Sequence, residues 1–499
     1  MRLRDEKDPE RLRQAALLLE QENARLVQKN LELQKANLAL LGRSPEELQL
    51  RMAQLEQQLA AAQAAMFGAS SEQRPKEKAP RERAEQTGHG PREQQQLEVV
   101  PRTHELDEAD KTCPSCGGAL AEWAGQFEES EEIDVVERKF VIVKHQRKKY
   151  RCACNACVET APGPVKLIPG GRYSVDFAID VAISKYLDHL PLERQVRVMA
   201  REGLVVDSQT LWDQIEALAR RVAGAYRALH ASQLLQPVLG VDETHWLLMG
   251  KKQNGGVDKR HQLWAVASPN AVYYKVQDNR SSVGAGEMLP GYRGVVMADG
   301  YGAYVKLQRE KPTFALVHCW DHVRRKFVAA EKFFPKDGGD AVELIGRLYE
   351  IERQAPQGPP GDELRARLRA EHSKPAIAAI QAWALEARTR VLPSSAVGEA
   401  IDYMLGLWPG LTAFLWDARV PLSNAFTERA MRGPVVGRKN HYGSRSKRGT
   451  EVAAIFYSLL ESAKLCGLDP KAYLRTAALA AIAGQPVPLP HQLATPAPA

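Results

Sequence analysis

The chain has 499 residues, of which 44% are hydrophobic and 26% charged, and its formal net charge is +7. This length favours several domains, and the composition is that of a globular protein rather than a fully disordered or fibrous one. No apolar stretch approaches the roughly 20 residues of a bilayer-spanning helix, and the amino terminus lacks a signal-peptide core, so we expect a cytoplasmic protein without membrane contact. The positive charge permits nucleic-acid binding but does not require it.

A leucine recurs every seven residues near the amino terminus, at Leu12, Leu19, Leu26, Leu33 and Leu40. Asparagine occupies three of the opposite seam positions, a pattern typical of coiled coils that give up stability for a defined register. We predict a leucine-zipper-like coiled coil over residues 1–67 that makes the protein a homodimer or higher homo-oligomer. The alternative is a solvated amphipathic helix that packs on its own chain. Residues 68–100 are polar and contain several prolines and glycines, which predicts a disordered linker.

Five of the seven cysteines lie between residues 113 and 157. Two C-x-x-C pairs, which present two thiolates each, are the ligand pattern of a closed tetrahedral zinc site. We therefore predict a zinc-binding domain over residues 101–165 with one structural Zn²⁺ on Cys113, Cys116, Cys154 and Cys157. Cys152 competes for one of these positions. The alternative, free thiols, leaves the clustering unexplained.

Residues 166–235 carry apolar residues at helical spacing in three blocks, at 175–187, 192–199 and 211–222. Asp207 and Ser208 precede the third block as a plausible N-cap, and Gly203 marks the turn before it. Three short helices with a glycine turn predict a helical, helix-turn-helix-like DNA-binding domain. A plain helical connector fits the same pattern.

The period becomes strand-like from residue 236. The predicted strands cover residues 237–246, 261–267, 271–276, 295–298 and 313–319, with a helix near 282–289. Three strands followed by helix, strand, helix and strand is the order of a ribonuclease-H-like core, in which the first and fourth strands are neighbours. We assign the first part of this core to residues 236–330 and expect Asp242 to lie beside Asp299.

The rest of the chain is mainly helical. Residues 331–416 are too long for a loop and predict a helical insertion. Residues 417–475 form the second part of the core, with a helix that begins near Glu428, and residues 476–499 form a Pro/Ala-rich tail that we expect to be loose after Gly484. The predicted fold class is thus multidomain α/β.

Three carboxylates that are far apart in the chain stand at similar kinds of position. Asp242 and Asp299 each close a short apolar run, and Glu428 stands at the head of a basic helical pattern. A lone aspartate at a strand end is usually a turn or cap residue. Two strand-end aspartates with a glutamate on a later basic helix instead favour a site for two Mg²⁺ ions, which take hard oxygen ligands and assist phosphoryl transfer. Glu243 is an alternative ligand, but strand alternation directs it away from Asp242.

The segment 429–448 is rich in Arg and Lys and has no acidic residue. Such a run is usually a solvated face. Its glycines allow close approach of backbone to phosphate, and His441 with Tyr442 could stack on a base, so we predict DNA contact. The predicted DNA-binding residues are Arg429, Arg432, Arg438, Lys439, Asn440, His441, Arg445, Lys447 and Arg448.

Several segments together resemble DDE transposases of the insertion sequence 66 type. They are residues 67–72 (FGASSE), the two C-x-x-C pairs, 241–246 (VDETHW), 297–304 (MADGYGAY), 318–327 (HCWDHVRRKF), 427–432 (TERAMR) and 437–444 (GRKNHYGS). The resemblance covers nearly the whole chain. Two departures are Ala425, where the family often has asparagine before the glutamate, and Asp321, which replaces an alanine.

The resemblance implies that Asp242, Asp299 and Glu428 form a catalytic triad with two Mg²⁺ or Mn²⁺ ions. The implied reactions are cleavage at transposon ends and strand transfer into target DNA. The implied partners are double-stranded DNA, namely terminal inverted repeats and target, and accessory proteins of the same element in a bacterial, nucleoid-associated setting. His322, Arg324 and Arg325 are further candidates at the edge of the site. The alternatives are a non-catalytic DNA-binding regulator of transposon ends and a ribonuclease-H-fold junction nuclease.

Overall fold

The computed structural model describes residues 138–151, 158–249 and 259–494, with a few positions between 21 and 33 and between 104 and 120. The chain divides into two compact units, residues 1–63 with 139–499, and residues 64–138. Most of the predicted coiled coil and all of the predicted linker lie outside the described residues. Of the leucine series, Leu26 and Leu33 are described, and both are exposed on the single chain. Self-association through this series therefore stays a prediction.

Two short strands, β1 (Lys149–Arg151) and β2 (Val158–Thr160), pair antiparallel, with Arg151 opposite Val158. They flank residues 152–157, which lie outside the described residues. The strand pair brings Arg151 and Val158, which border that segment, opposite each other.

Three helices follow, and all three were predicted: α1 (Val175–Tyr186), α2 (Leu192–Arg201) and α3 (Ser208–Gln233). The Asp207 side chain accepts a hydrogen bond from the Thr210 backbone N–H at 2.6 Å, which confirms the predicted N-cap. The third helix continues well beyond its predicted end. Buried residues of these helices share one core with the sheet described next and with the C-terminal helices.

Among the described residues, five further strands are β3 (Val238–Leu248), β4 (Lys259–Ser268), β5 (Ala271–Gln277), β6 (Val295–Ala298) and β7 (Ala315–His318). They form a mixed sheet in the order β5-β4-β3-β6-β7. The first and fourth of these strands in sequence, β3 and β6, are parallel neighbours, as predicted, and Gly240 lies opposite Met297. Strand β4 is antiparallel to both β3 and β5, and β7 is parallel to β6. Helix α4 (Ser282–Met288) lies between β5 and β6 in the chain, and helix α5 (Gly302–Glu310) lies between β6 and β7.

Both faces of the sheet are covered. Along β4, Leu263, Ala265 and Ala267 belong to the core shared with helices α1 to α3. The intervening Trp264 and Val266 belong to a second core with α4 and α5. Successive side chains on a strand point to opposite faces, so an almost continuous apolar run is what a sheet buried on both sides requires.

The predicted helical insertion is observed after β7. Its helices are α6 (Trp320–Glu331), α7 (Pro335–Glu352), α8 (Asp362–Leu368), α9 (Lys374–Arg390), α10 (Ala396–Gly406) and α11 (Trp408–Thr412). A single π-helical turn at Arg369–Ser373 separates α8 from α9. These helices pack around a third core that includes Val323, Phe327 and Ile401 and reaches Met297 and Val317 of the sheet.

The last helices are α12 (Ala425–His441), α13 (Lys447–Leu465), α14 (Pro470–Ile482) and α15 (Pro490–Leu493). Helix α12 begins near Glu428, as predicted, but it extends through Gly433 and Gly437, which we had read as phosphate-approaching loop glycines. A Cβ at Gly433 would overlap Glu461, and a Cβ at Gly437 would overlap Tyr457. These glycines therefore allow α12 to pack closely against α13. Leu489 is buried in the core, so the expectation of a loose chain after Gly484 is wrong for residues up to 493.

Candidate active site

Asp242 lies on β3, and Asp299 directly follows the neighbouring strand β6, at the same level of the sheet. Each aspartate stands two positions beyond the parallel pair formed by Gly240 and Met297. Asp242 Oδ1 accepts the Glu243 backbone N–H at 2.8 Å, and Asp299 Oδ1 accepts the Tyr301 backbone N–H at 2.8 Å. The sheet register and these two bonds fix both carboxylates at one edge.

Glu428 reaches the same edge from the first turn of α12. Helix α12 approaches β3 so closely that a Cβ at Gly240 would overlap Thr427 and Asn424. The Asn424 side chain also donates to the Val241 carbonyl at 2.8 Å, next to Asp242 in sequence. Glycine at position 240 and the amide of Asn424 therefore set the approach of the glutamate helix to the strand.

The other carboxylates of the site act on Asp242. Burial, followed by the charges of Glu243, Asp299 and Glu428, raises the pKa of Asp242 to about 7. Carboxylates that share a site and lose water resist ionisation together. Asp242 is therefore the carboxylate whose ionised form is disfavoured by its burial and by its acidic neighbours.

Glu243 has its own partners. Its Oε1 accepts two bonds from Arg280, at 2.8 and 3.0 Å, and its Oε2 accepts the Tyr304 hydroxyl at 3.0 Å. The side chain of Glu243 is 3% exposed and that of Arg280 is 46% exposed, so the carboxylate is buried while the guanidinium remains open to solvent. Because both oxygens are engaged, Glu243 is a support of the site rather than the alternative ligand we had weighed. Arg280 lies in none of the sequence motifs described above, so its pairing with Glu243 was not predicted.

The predicted edge residues lie on α6. His322 Nε2 is 3.7 Å from Glu428 Oε1, and Arg325 Nη2 is 3.8 Å from Glu428 Oε2. Arg324 is half-buried on the same helix. Cys319, at the N-cap of α6, is buried, as predicted, and its sulfur accepts the Asn424 backbone N–H at 3.2 Å. Helices α6 and α12 are thereby joined directly beside the glutamate.

Comparison with known proteins identifies the family. The family described as "Transposase IS66 family" matches residues 170–452, which include β3, β6 and α12. The chain belongs to the IS66 family of transposases. A second match, to the zinc-finger binding domain of transposase IS66, covers residues 110–155.

Curated relatives of this transposase come from Sinorhizobium fredii (strain NBRC 101917 / NGR234). "Uncharacterized protein y4jD" is 32% identical over 74% of this chain and 74% of its own length. "Uncharacterized protein y4hP" is 30% identical over 79% of this chain and 74% of its own length. Among solved structures, "Crystal structure of the Mos1 Strand Transfer Complex" matches 32% of this chain and 60% of that chain, at 12% identity and a TM-score of 0.13. A TM-score this low supports no conclusion about function.

The donor set of the transposase suits a hard divalent cation. Three carboxylates offer oxygen ligands, which Mg²⁺ and Mn²⁺ prefer. Glu428 Oε1 is buried and has no hydrogen-bond partner within the described residues. A buried carboxylate oxygen without a partner is unfavourable, and a bound cation would satisfy it.

The predicted DNA-binding residues divide into two groups. The first group is exposed or half-buried on α12, in the turn after it and at the start of α13: Arg429, Arg432, Lys439, Asn440, Arg445 and Lys447. Their cationic members can reach a phosphate backbone. Tyr442 follows the last residue of α12 in a left-handed backbone conformation, and its side chain is exposed.

The second group has partners inside the protein. Arg438 donates to the His245 carbonyl and to Thr244 Oγ1, and Arg448 binds Glu216 and Glu451, each at 3.0 Å. His441 contacts the Tyr457 hydroxyl at 3.2 Å and packs against Trp246. The His441 ring therefore has partners within the protein, which argues against the predicted stacking on a base.

Of the predicted zinc ligands, Cys113 and Cys116 are described, while Cys154 and Cys157 are outside the described residues. The Cys113 backbone N–H donates to Gly118 at 2.8 Å, and Gly117, with φ of 72°, donates to the Cys113 carbonyl at 2.9 Å. Nearby backbone N–H groups lower the pKa of Cys113, which favours the thiolate that zinc requires. This tight turn suits one half of a Cys₄ site.

No helix in the part of the chain that the structure describes is long and apolar enough to cross a membrane.

Proposed function

We propose that this IS66-family transposase cleaves DNA at transposon ends and joins the ends to target DNA by a two-metal DDE mechanism. The observation that carries the proposal is the convergence of Asp242, Asp299 and Glu428, since the β3–β6 register aligns the two aspartates and the contact of α12 with β3 brings Glu428 to them. Burial, followed by the charges of Glu243, Asp299 and Glu428, raises the pKa of Asp242 to about 7. The strand order and directions support a ribonuclease-H-like core as the scaffold. In such a core the first and fourth strands supply the two aspartates.

In this proposal the three carboxylates hold two Mg²⁺ or Mn²⁺ ions. When bound, such ions activate the attacking oxygen and stabilise the leaving oxygen of an in-line displacement. The protein positions the ligands. The register of β3 and β6 aligns the aspartates, Gly240 and Asn424 set the approach of α12, and the Tyr403 hydroxyl donates to the Asp299 carbonyl.

DNA binding in this proposal uses the exposed cations of α12 and the turn after it. Arg432 and Lys439 lie on one side of the helix that carries Glu428, because residues seven apart are nearly in phase. Contacts of this kind neutralise phosphates and position the duplex without reading its sequence. The zinc-binding domain and the helical region 166–235 are the proposed sites of end recognition.

The test is strand transfer by purified full-length protein with Mg²⁺ or Mn²⁺ and labelled DNA that carries the element's own ends. Asp242→Asn, Asp299→Asn and Glu428→Gln should each lose at least a hundredfold of activity while end binding persists. Glu343→Gln removes a carboxylate that pairs with Arg347 on the surface and should match wild type. Full strand transfer by Asp242→Asn would overturn the proposal.

Two alternatives have distinct outcomes in the same assay. Binding of transposon ends by wild type and variants alike, with no cleavage under either metal, would favour a DNA-binding regulator. Preferential cleavage of branched DNA would favour a junction nuclease on the same scaffold.

A further inference from the structure

Three ligand-type side chains of different chemistry meet where α6 and α12 begin. The ligand atoms of Cys319, His322 and Glu428 all lie within 4.8 Å of one another. Cys319 and His322 are three residues apart at the start of α6, a spacing that places two side chains on one face of a helix. The group therefore combines a thiol, an imidazole and a carboxylate at one point.

Two atoms of this group lack partners. Glu428 Oε1 and His322 Nδ1 are buried and have no hydrogen bond within the described residues. Arg325 faces the other glutamate oxygen, Oε2, so Oε1 is the atom turned toward His322. Buried polar atoms are normally satisfied, so the unsatisfied Glu428 Oε1, which faces His322 Nε2, points to a missing ligand.

The chemistry of the donors identifies the ligand class. Thiolate and imidazole select Zn²⁺ and similar borderline ions over Mg²⁺, which prefers oxygen. Bond lengths of 2.0–2.3 Å place the ligand atoms around a tetrahedral zinc about 3.3–3.8 Å apart. The 3.7 Å separation of His322 Nε2 and Glu428 Oε1 already lies in that range. Three protein ligands would leave the fourth position to water.

We propose that Cys319, His322 and Glu428 form a binding site for a thiophilic divalent ion such as Zn²⁺, and that its occupancy inhibits strand transfer. Binding replaces the thiol proton of Cys319, which passes to solvent, and forms one metal–sulfur bond. The bound ion also engages Glu428 Oε1, so this oxygen can no longer serve as a ligand of Mg²⁺. The inhibitory part rests on the proposed function, whereas the binding part does not.

The binding site is tested with Co²⁺ as a spectroscopic stand-in for Zn²⁺, titrated into the zinc-loaded full-length protein. Wild type should show a near-ultraviolet sulfur-to-cobalt absorption band. The Cys319→Ser and His322→Gln variants should bind Co²⁺ at the proposed site at least tenfold more weakly than wild type. Cys466→Ser is the matched control, since that thiol lies elsewhere and bonds to the Asn270 carbonyl. Exchange into the zinc domain would be the same in all four proteins, and melting temperatures verify that the variants fold. Equal spectra and affinities for wild type and Cys319→Ser would overturn the site.

The inhibition is tested by Zn²⁺ titration of strand transfer in excess Mg²⁺. Wild type and Cys466→Ser should be inhibited at a Zn²⁺ concentration at least tenfold lower than Cys319→Ser. Equal inhibition of all three proteins would overturn the regulatory role while the cobalt result still decides the site. If no strand transfer occurs, the proposed function fails and the cobalt titration remains informative.

Discussion

The hydroxyl of Tyr403 donates a hydrogen bond to the backbone carbonyl of Asp299. Tyr403 lies on α10, inside the helical insertion, whereas Asp299 directly follows β6 of the sheet. The insertion is thus joined to the backbone of a proposed catalytic aspartate. Lys326 of α6 lies over the Tyr403 ring at 4.5 Å, which further holds the tyrosine in place.

Replacement of Tyr403 by phenylalanine should lower strand transfer about three- to tenfold, because loss of one hydrogen bond of about 1 kcal/mol leaves the Asp299 carbonyl less firmly held. The loss should appear in the rate at saturating DNA, with end binding unchanged. Tyr442→Phe, on an exposed side chain, tests the specificity of the effect. A Tyr403→Phe protein with the wild-type rate would show that this bond does not position the site.

Arg369 connects the insertion to the segment that leads into α12. It is 1% exposed, forms two bonds with Glu352 at 2.6 and 2.9 Å, and donates to the carbonyls of Phe414, Asp417 and Val420. Lysine cannot reproduce this planar set of donors. Arg369→Lys should therefore destabilise the protein by about 3 kcal/mol or more, measured by urea denaturation. Arg367→Lys, at an exposed position nearby, should change stability by less than about 0.5 kcal/mol.

Substitution of Gly240 should separate the glutamate helix from the strand. The added methyl group of Gly240→Ala would overlap Thr427 and Asn424, so α12 must shift away from β3. We expect at least a tenfold loss of strand transfer, since displacements of about 1 Å can cost a hundredfold in rate. Gly346→Ala is the control, because nothing lies within 4 Å of its added Cβ and alanine favours the helix. Wild-type activity in Gly240→Ala would contradict the role of this contact.

His441 predicts a specific pH dependence of stability. Burial, followed by the charge of Lys185, lowers the pKa of His441 to about 4, from its ordinary value of 6.5. The unfolded chain therefore binds a proton below pH 6.5 that the folded chain does not bind until near pH 4, so stability falls as the pH falls through this window. By linkage, the loss at pH 5 is about 1–2 kcal/mol. Denaturation of wild type and His441→Gln at pH 7.5 and pH 5 should show a smaller loss in the variant, and an equal loss would refute a buried neutral His441.

Deletion of residues 1–66 tests the leucine series. Because the seam of the predicted coiled coil would pair two chains, removal should shift the protein toward the monomer in light scattering and weaken the pairing of DNA ends. A paired replacement of Leu19 and Leu26 by lysine should have the same effect without shortening the chain. An unchanged oligomer after either alteration would exclude the series as the main interface.

The elements of the catalytic region followed closely from the sequence. Apolar runs between turns predict strands such as β4 and β5, and Asp207 predicts the start of α3 as its N-cap. The end of α12 was harder to predict, since Gly433, Pro434 and Gly437 all suggest a loop. They are tolerated inside the helix because Pro434 is buried and both glycines admit neighbouring side chains of α13.

What the sequence determined by itself was local: the period of each element, the acidic residues at the strand ends and the family to which the motifs belong. Tertiary structure alone decided which polar groups became partners. Arg280 is 37 residues from Glu243, and Tyr403 is 104 residues from Asp299, yet each pair is bonded. His441 was an apparent DNA contact until packing buried it against Trp246. Periodicity depends on neighbours along the chain, whereas hydrogen bonding and burial depend on distances in space, which only folding sets.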